Sequence, residues 1–407
     1  MMYILFFYFC SSLCLYEIFL RKKEFDLFSV YMISLILFCL PLFFMKAYNP
    51  ISGDYVVPER GTYIIYGIAF LFAYIFSALD QYSFSRITII RKANGIHFGR
   101  NNKSFLFVIF IICLIMFLSI LPSLILADSK QQALETGGME MMLMSSLVPI
   151  GFSYAVISKE KKYVSIFAIM AVTIFFFGTR SPIVFCALAW AVLISRGKKT
   201  ILIKQYKLIF CLFVALLLVI LGKSFYGVLI RGGGVGDWLS GLTFDKIVIG
   251  AEFLRTNGIL NTVVKENFNI PYWSVPVGVL SILPMPLDWF GLSSSLFNDL
   301  FQPKLFPDIE YGMAYNPWAE AYSWLGFFGV VLYSLSIPAF LFCIKKIFSH
   351  DSTPAGAIFL IIGIVLAFWV HRNSFSTSLA YTRNMLYPAV GLYIFSVAIR
   401  DLKAPSK

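Results

Sequence analysis

The sequence FLFVIFIICLIMFLSILPSLILA occupies residues 105–127 and decides the fold class. It carries no charge and is long enough to cross a hydrocarbon core about 30 Å thick, which takes roughly 17–25 residues. Because backbone groups inside a bilayer must be hydrogen-bonded within the chain, the run predicts a membrane-spanning helix. Ten further apolar runs bring the expected number of spans to about eleven: residues 2–20, 27–45, 62–79, 141–158, 163–177, 182–195, 208–222, 318–343, 355–370 and 385–399.

The composition agrees with this assignment. Of the 407 residues, 59% are hydrophobic and 13% are charged, so the expected fold class is an all-α, polytopic integral membrane helix bundle. No basic residue precedes the first apolar run, which therefore predicts a first span and not a cleavable signal peptide. The seven cysteines all fall in apolar runs and form no Cys-x-x-Cys metal pattern.

Basic residues are concentrated in alternate loops: 21–23, 86–103, 159–162, 196–207, 345–346 and 400–407. By the positive-inside rule these loops are cytoplasmic, which predicts an N-terminus outside the cytoplasm and a cytoplasmic C-terminus. Segments 128–140, 178–180, 223–316 and 371–383 are then expected outside. The net charge of +12 thus follows from topology and does not indicate a nucleic-acid partner.

One long segment separates the spans and divides the chain into 1–222 (spans 1–8), 223–317 (a large periplasmic loop) and 318–407 (spans 9–11 and a tail). The loop is rich in Pro, Gly and aromatic residues, which is unlike a disordered linker. Loops of this length usually carry function. We expect a folded cap over a site, with an interfacial helix at 244–264 and a broken apolar stretch at 275–290 that could enter the membrane if protein shields it.

Five arginines are expected on the outer face, where the positive-inside rule disfavours them: Arg180, Arg231, Arg255, Arg372 and Arg383. A structural reading makes Arg180 a helix-end anchor and Arg231, before three glycines, a solvated loop residue. The functional reading is a shared anion site, because the guanidinium group binds phosphate oxygens in bidentate fashion. A lipid pyrophosphate fits such a site, with its tail among the spans and its sugars against the aromatic loop.

Glu252, Glu320 and His371 are the candidates for a catalytic base. Glu252 lies three residues before an arginine and could instead form a surface ion pair with it. Glu320 lies in the first turn of a helix that Asn316 is expected to cap, where it could simply stabilise the helix dipole. His371 ends a span beside an arginine, which disfavours its charged form and leaves it able to accept a proton.

Residues Asp308 and Glu310 have the spacing of two carboxylates that could share a divalent ion. No third ligand accompanies them in the sequence. We therefore predict neither a metal nor another cofactor.

Three short motifs carry a family resemblance: Phe177-Gly178-Thr179-Arg180-Ser181-Pro182, Asn316-Pro317-Trp318-Ala319-Glu320-Ala321-Tyr322 running into Gly326-Phe327-Phe328-Gly329, and Arg372-Asn373-Ser374-Phe375-Ser376. Together with the many spans and one late outer loop, they resemble the bacterial oligosaccharide repeat unit polymerases of the Wzy type, which make O-antigen or capsule. The count of eleven spans departs from the even number, with both ends inside, that many members of the family show.

The resemblance implies an inner-membrane glycosyltransferase without a cofactor, acting on undecaprenyl-pyrophosphate-linked oligosaccharides. The growing chain would pass from its lipid carrier to the non-reducing end of a new lipid-linked unit, with the arginines stabilising the leaving pyrophosphate. Besides the lipid bilayer, the implied partners are a chain-length regulator and a flippase. Three alternatives stay open at this point: an O-antigen ligase that uses lipid A as acceptor, a flippase for lipid-linked oligosaccharides, and a scaffold protein.

Overall fold

The computed structural model describes the chain except for residues 95–102, 127–129, 177–178, 199, 230–232, 241–253, 286–288, 290, 292–296, 310–312, 349–352 and 403–407.

Fifteen α-helices occur within the described ranges, in agreement with the predicted all-α class. They are α1 Met2–Tyr16, α2 Leu27–Phe38, α3 Arg60–Asn94, α4 Lys103–Leu126, α5 Lys130–Ile157, α6 Lys161–Phe176, α7 Ser181–Ser195, α8 Tyr206–Leu229, α9 Val235–Ser240, α10 Thr256–Lys265, α11 Ser274–Val279, α12 Phe297–Leu305, α13 Pro317–Phe348, α14 Pro354–Phe368 and α15 Phe375–Leu402. Short 3₁₀ turns at Leu40–Phe44, Leu202–Lys204, Leu280–Ile282 and Trp369–Arg372 and a π-helical turn at Glu17–Arg21 extend or join them. Strands β1 Ala47–Tyr48 and β2 Tyr55–Val56 form an antiparallel hairpin.

Six helices in the described part of the chain are long and apolar enough to cross a membrane: Met2–Arg21, Arg60–Tyr82, Lys103–Leu121, Gly138–Ile157, Pro317–Phe348 and Pro354–Arg372. Two shorter apolar helices accompany them, Leu27–Phe38 and Ser181–Ser195. These helices indicate a multi-pass membrane protein, as the sequence predicts.

Several helix boundaries differ from the sequence-based expectation. Helix α5 begins at Lys130, so most of the predicted outer loop 128–140 is helical. Helix α8 continues to Leu229 and does not end at 222, and α15 begins at Phe375 and not at 385. Apolar content alone sets the predicted limits, whereas polar residues with good helix propensity or a capping partner prolong a helix beyond them. The opposite occurs in α2, which gives way to a 3₁₀ turn before Pro41.

The long loop contains four short helices, α9 to α12. The predicted helix at 244–264 appears as α10, which begins only at Thr256, while 241–253 lies outside the described residues. Two asparagines attach α10 to an earlier part of the chain. The Oδ1 atom of Asn257 accepts the backbone N–H of Tyr48 at 3.1 Å, and the Oδ1 atom of Asn261 accepts that of Glu59 at 2.7 Å. The loop is therefore folded against the segment that follows α2.

Helix α13 contains a sharp bend at Leu325 and Gly326, where Gly326 adopts φ +59°. This left-handed conformation favours glycine because it has no Cβ atom. Just beyond the bend Gly329 packs against the carbonyl oxygen of Ala321, which lies 2.1 Å from where a Cβ would be. The bend separates a short, buried leading segment of α13 from the apolar remainder of the helix.

At the opposite end of the bundle, five charged side chains form an almost buried network, here called the inner layer. The Nζ atom of Lys345 contacts the carboxylates of both Asp26 and Asp80. Lys22 pairs with Asp26 at 2.5 Å, and Lys346 pairs with Asp80 at 3.2 Å. The inner layer therefore joins the segment between α1 and α2 to α3 and to the end of α13.

The neighbouring loops assemble around this network. The backbone N–H of Leu202 donates to the carbonyl of Lys22 at 2.9 Å, and that of Gly197 donates to the carboxylate of Glu24 at 2.7 Å. These segments come from loops 21–26, 196–207 and 345–346, which the charge pattern assigns to one membrane side. Segments assigned to the other side meet at the far end of the bundle.

A close backbone contact at Gly258 provides a test of how α10 packs against the segment that follows α2. A Cβ atom there would lie 1.7 Å from the carbonyl oxygen of Tyr48. We expect Gly258→Ala to lower the unfolding free energy by about 3 kcal/mol or more, measured as thermal unfolding of the purified protein in detergent. The control is Gly391→Ala in α15, because no atom lies within 4 Å of its added Cβ. Equal melting temperatures for the two variants would contradict the docking of α10 on this segment.

Candidate functional site

Asn316 forms the junction around which the outer end is built. Its Oδ1 atom accepts the backbone N–H groups of Trp318 at 3.1 Å and Ala319 at 3.0 Å, which confirms the predicted N-cap of α13. Its Nδ2 atom donates to the Tyr66 hydroxyl and to the carbonyl oxygen of Thr256, both at 3.0 Å. One fully buried side chain thus connects α3, α10 and α13.

Glu320 lies one helical turn further along α13 and is 6% exposed. The sequence left its carboxylate either as a candidate base or as a partner of its own helix dipole, and in the structure it contacts the start of another helix. The Oε2 atom accepts the backbone N–H of Phe375 at 2.6 Å, at the start of α15. The positive end of the α15 dipole and this hydrogen bond compensate in part for removing the carboxylate from water.

Hydroxyl groups surround the start of α15. The Ser374 hydroxyl lies 3.1 Å from that of Ser376 and 2.7 Å from that of Thr377. The Ser281 hydroxyl, on the turn after α11, donates to the carbonyl oxygen of Ser376 at 2.9 Å. Ser374 and Ser376 lie within one of the motifs quoted from the sequence, but nothing in their spacing showed that Glu320 and the turn after α11 would meet them.

His371 is completely buried, and this differs from the accessible base that the sequence allowed. Its ring stacks on Trp318 with centroids 5.2 Å apart, and Tyr31 packs against it at 4.7 Å. The His371 ring is therefore enclosed by aromatic side chains in this conformation.

Three of the predicted arginines lie on elements that meet at one aromatic pair, the rings of Trp369 and Tyr381. These rings stack with centroids 6.1 Å apart. The Arg372 guanidinium lies over the Trp369 ring at 5.5 Å. Arg383 follows two residues after Tyr381 on α15, and its guanidinium reaches the carbonyl oxygen of Leu283 at 3.4 Å.

Arg180 approaches the same pair from α7. It occupies the N-cap position of this helix, and the adjacent Ser181 interacts through its side chain with the Tyr381 hydroxyl. Phe185, one turn later in α7, meets the Trp369 ring edge-on at 5.6 Å. Arg372 contacts this stack directly, whereas Arg180 and Arg383 lie on the helices that contact or supply its rings; these three residues are here called the arginine cluster.

The segment just before α13, the helix that carries Glu320, is hydrogen-bonded to the backbone of Arg372. The N–H of Tyr315, one residue before Asn316, donates to the carbonyl oxygen of Arg372 at 2.9 Å. The start of α13 therefore contacts both the arginine-bearing turn and the start of α15.

The other residues singled out from the sequence are either separate from the arginine cluster or lie outside the described residues. Arg255 lies at the N-cap of α10 with its guanidinium 5.0 Å above the Tyr48 ring, and no contact joins it to the arginine cluster in the described ranges. Arg231 and Glu252 lie outside the described residues, as does Glu310. Asp308 is exposed.

Comparisons with protein-family models, with curated proteins and with solved structures found no match. The function is therefore argued from the residues and their arrangement.

Replacement of Asn316 tests the junction. We expect Asn316→Ala to lower the unfolding free energy by about 2–4 kcal/mol, because it removes a helix cap and leaves buried partners unsatisfied. Asn269→Ala is the matched control, since Asn269 is exposed and its side chain bonds only to its own loop, at the Asn267 carbonyl. Thermal unfolding in detergent measures both. An equal, small effect in the two variants would show that Asn316 does not hold the outer end together.

Proposed function

We propose that this protein polymerises undecaprenyl-pyrophosphate-linked oligosaccharide repeat units into O-antigen or capsular polysaccharide at the outer face of the inner membrane. The single observation that carries the proposal is the arginine cluster. Arg372 lies over one ring of an aromatic pair, and Arg180 and Arg383 lie on the two helices that contact or supply this pair, at the end of the bundle where the long loop packs. Guanidinium groups arranged in this way suit a pyrophosphate, and the aromatic rings suit sugars.

The topology is part of the proposal. About eleven spans, with a periplasmic N-terminus and a cytoplasmic C-terminus, would place the arginine cluster outside. Support comes from the inner layer, where loops 21–26, 196–207 and 345–346 contact one another at the opposite end of the bundle.

The reaction assigned to this site is glycosyl transfer. An acceptor hydroxyl oxygen forms a bond to the anomeric carbon of the donor sugar, and the bond from this carbon to the pyrophosphate oxygen breaks. Undecaprenyl pyrophosphate leaves with its electron pair, and the arginine cluster stabilises the negative charge that develops on it. The acceptor proton passes to a base.

Glu320 has the best geometry for the base among the described candidates. Its carboxylate lies beside the hydroxyl-rich start of α15 and retains 6% exposure, whereas His371 is fully enclosed. Only one of its oxygens, Oε2, is used in the hydrogen bond to Phe375. Glu252 is the third candidate from the sequence.

The test uses purified protein in lipid, supplied only with lipid-linked repeat units. Wild-type protein is expected to form a polymer ladder, and Arg372→Ala to form it about 10²-fold more slowly, the scale of one lost oxyanion donor. Arg180→Ala is expected to behave alike, with partial recovery in Arg180→Lys because a point charge does not reproduce the bidentate fork.

Arg60→Ala is the matched control. Arg60 is an exposed arginine at the same end of the bundle, over the Tyr3 ring at 5.9 Å, and is separate from the arginine cluster. Full activity in Arg372→Ala and Arg180→Ala would remove both residues from the site. Transfer to lipid A without a ladder would identify a ligase instead, and lipid movement without a new glycosidic bond would identify a flippase.

A further inference from the structure

A pocket at the inner end lies beside the charged network and plays no part in the proposed reaction. Its apolar wall comes from three helices, with Val192 on α7, Ile344 and Phe348 on α13, and Leu360 on α14. Arg196, the C-cap residue of α7, provides a positive charge at this wall. The pocket thus combines a hydrocarbon-like surface with two cations, Arg196 and Lys345, and two carboxylates, Glu24 and Asp26, at the height where the basic loops begin.

The Arg196 guanidinium has no close polar partner among the described residues. It forms no hydrogen bond or close ion pair with the described residues, although the charge of Glu24 acts on it from a distance. The Glu24 carboxylate accepts the backbone N–H of Gly197 instead. Burial lowers the pKa of Arg196, and Glu24 partly offsets this effect. A partly buried guanidinium with five donors and no close partner in the part of the chain that the structure describes is costly, so an anionic ligand is expected to approach it.

Lys345 also lines the pocket but is already held by two aspartates. Its Nζ atom contacts Asp26 and Asp80, and its side chain is only 14% exposed. This network keeps Lys345 and Asp26 together on one wall of the pocket, which leaves Arg196 as the group available to a ligand.

We propose that this pocket binds an anionic phospholipid of the adjacent leaflet, with its phosphate on Arg196 and an acyl chain along the wall formed by α7, α13 and α14. The guanidinium matches phosphate oxygens in bidentate fashion. Basic pockets between helices on the cytoplasmic side commonly bind anionic head groups. A free phosphate ion has the same head-group chemistry, but it would leave the apolar wall unused.

The experiment titrates purified full-length protein in neutral detergent with phosphatidylglycerol, with phosphatidylcholine and with inorganic phosphate, and follows the melting temperature. Phosphatidylglycerol is expected to raise the melting temperature of the wild type, whereas phosphatidylcholine and inorganic phosphate are not. In Arg196→Gln the half-saturating concentration of phosphatidylglycerol should rise about tenfold or more, the scale of one charge-assisted hydrogen bond.

Lys198→Gln is the matched control, because it removes the same charge from an exposed side chain two residues away. It should keep the wild-type concentration dependence. If Arg196→Gln does not fold, Arg196→Lys takes its place in the experiment. Its affinity for phosphatidylglycerol is expected to be lower than that of the wild type but higher than that expected for Arg196→Gln. Unchanged affinity in the Arg196 variant tested, or an equal loss in Lys198→Gln, would overturn the site. Equal stabilisation by inorganic phosphate would overturn the lipid as its occupant.

Discussion

A polar group that is removed from water must find a partner within the protein, and Asn316 meets this requirement for three helices at once. Its side chain caps α13 and also bonds to α3 and to the start of α10. With α13 fixed in this way, Glu320 reaches the start of α15, and Tyr315 bonds to Arg372. The positions of the hydroxyl groups and of the arginine cluster therefore depend on one buried amide.

The inner layer has a different physical character. Lys345 bridges Asp26 and Asp80, and each of these groups is largely removed from solvent. Buried ion pairs of this kind add little net stability, because desolvation offsets their attraction, but breaking one leaves an uncompensated charge. Their consequence is specificity: they fix which helix ends meet and keep the basic loops together. The bundle thus has amide and hydroxyl junctions at one end and charged junctions at the other.

Local features could be predicted from the sequence, whereas contacts between distant segments could not. The apolar runs predicted the helices, and the Asn316-Pro317 pair predicted the start of α13, because both signals lie within a few residues. The bond from Glu320 to the start of α15 joins residues far apart in the chain, so its own helix gave no indication of this bond. His371 is a similar case. Its neighbours in sequence allowed an accessible base, but Trp318 and Tyr31 enclose its ring.

The most direct measurement of the central claim, that the arginine cluster and the inner layer lie on opposite membrane faces, is labelling of single introduced cysteines with a membrane-impermeant maleimide. Tyr272→Cys reports on the outer end, where the Tyr272 side chain is 75% exposed, and Lys198→Cys reports on the exposed inner loop. The unmodified chain corrects for its native cysteines. The account predicts labelling of Tyr272→Cys in intact spheroplasts and of Lys198→Cys only after permeabilisation. Labelling of both variants in intact spheroplasts, or the reverse pattern, would contradict it.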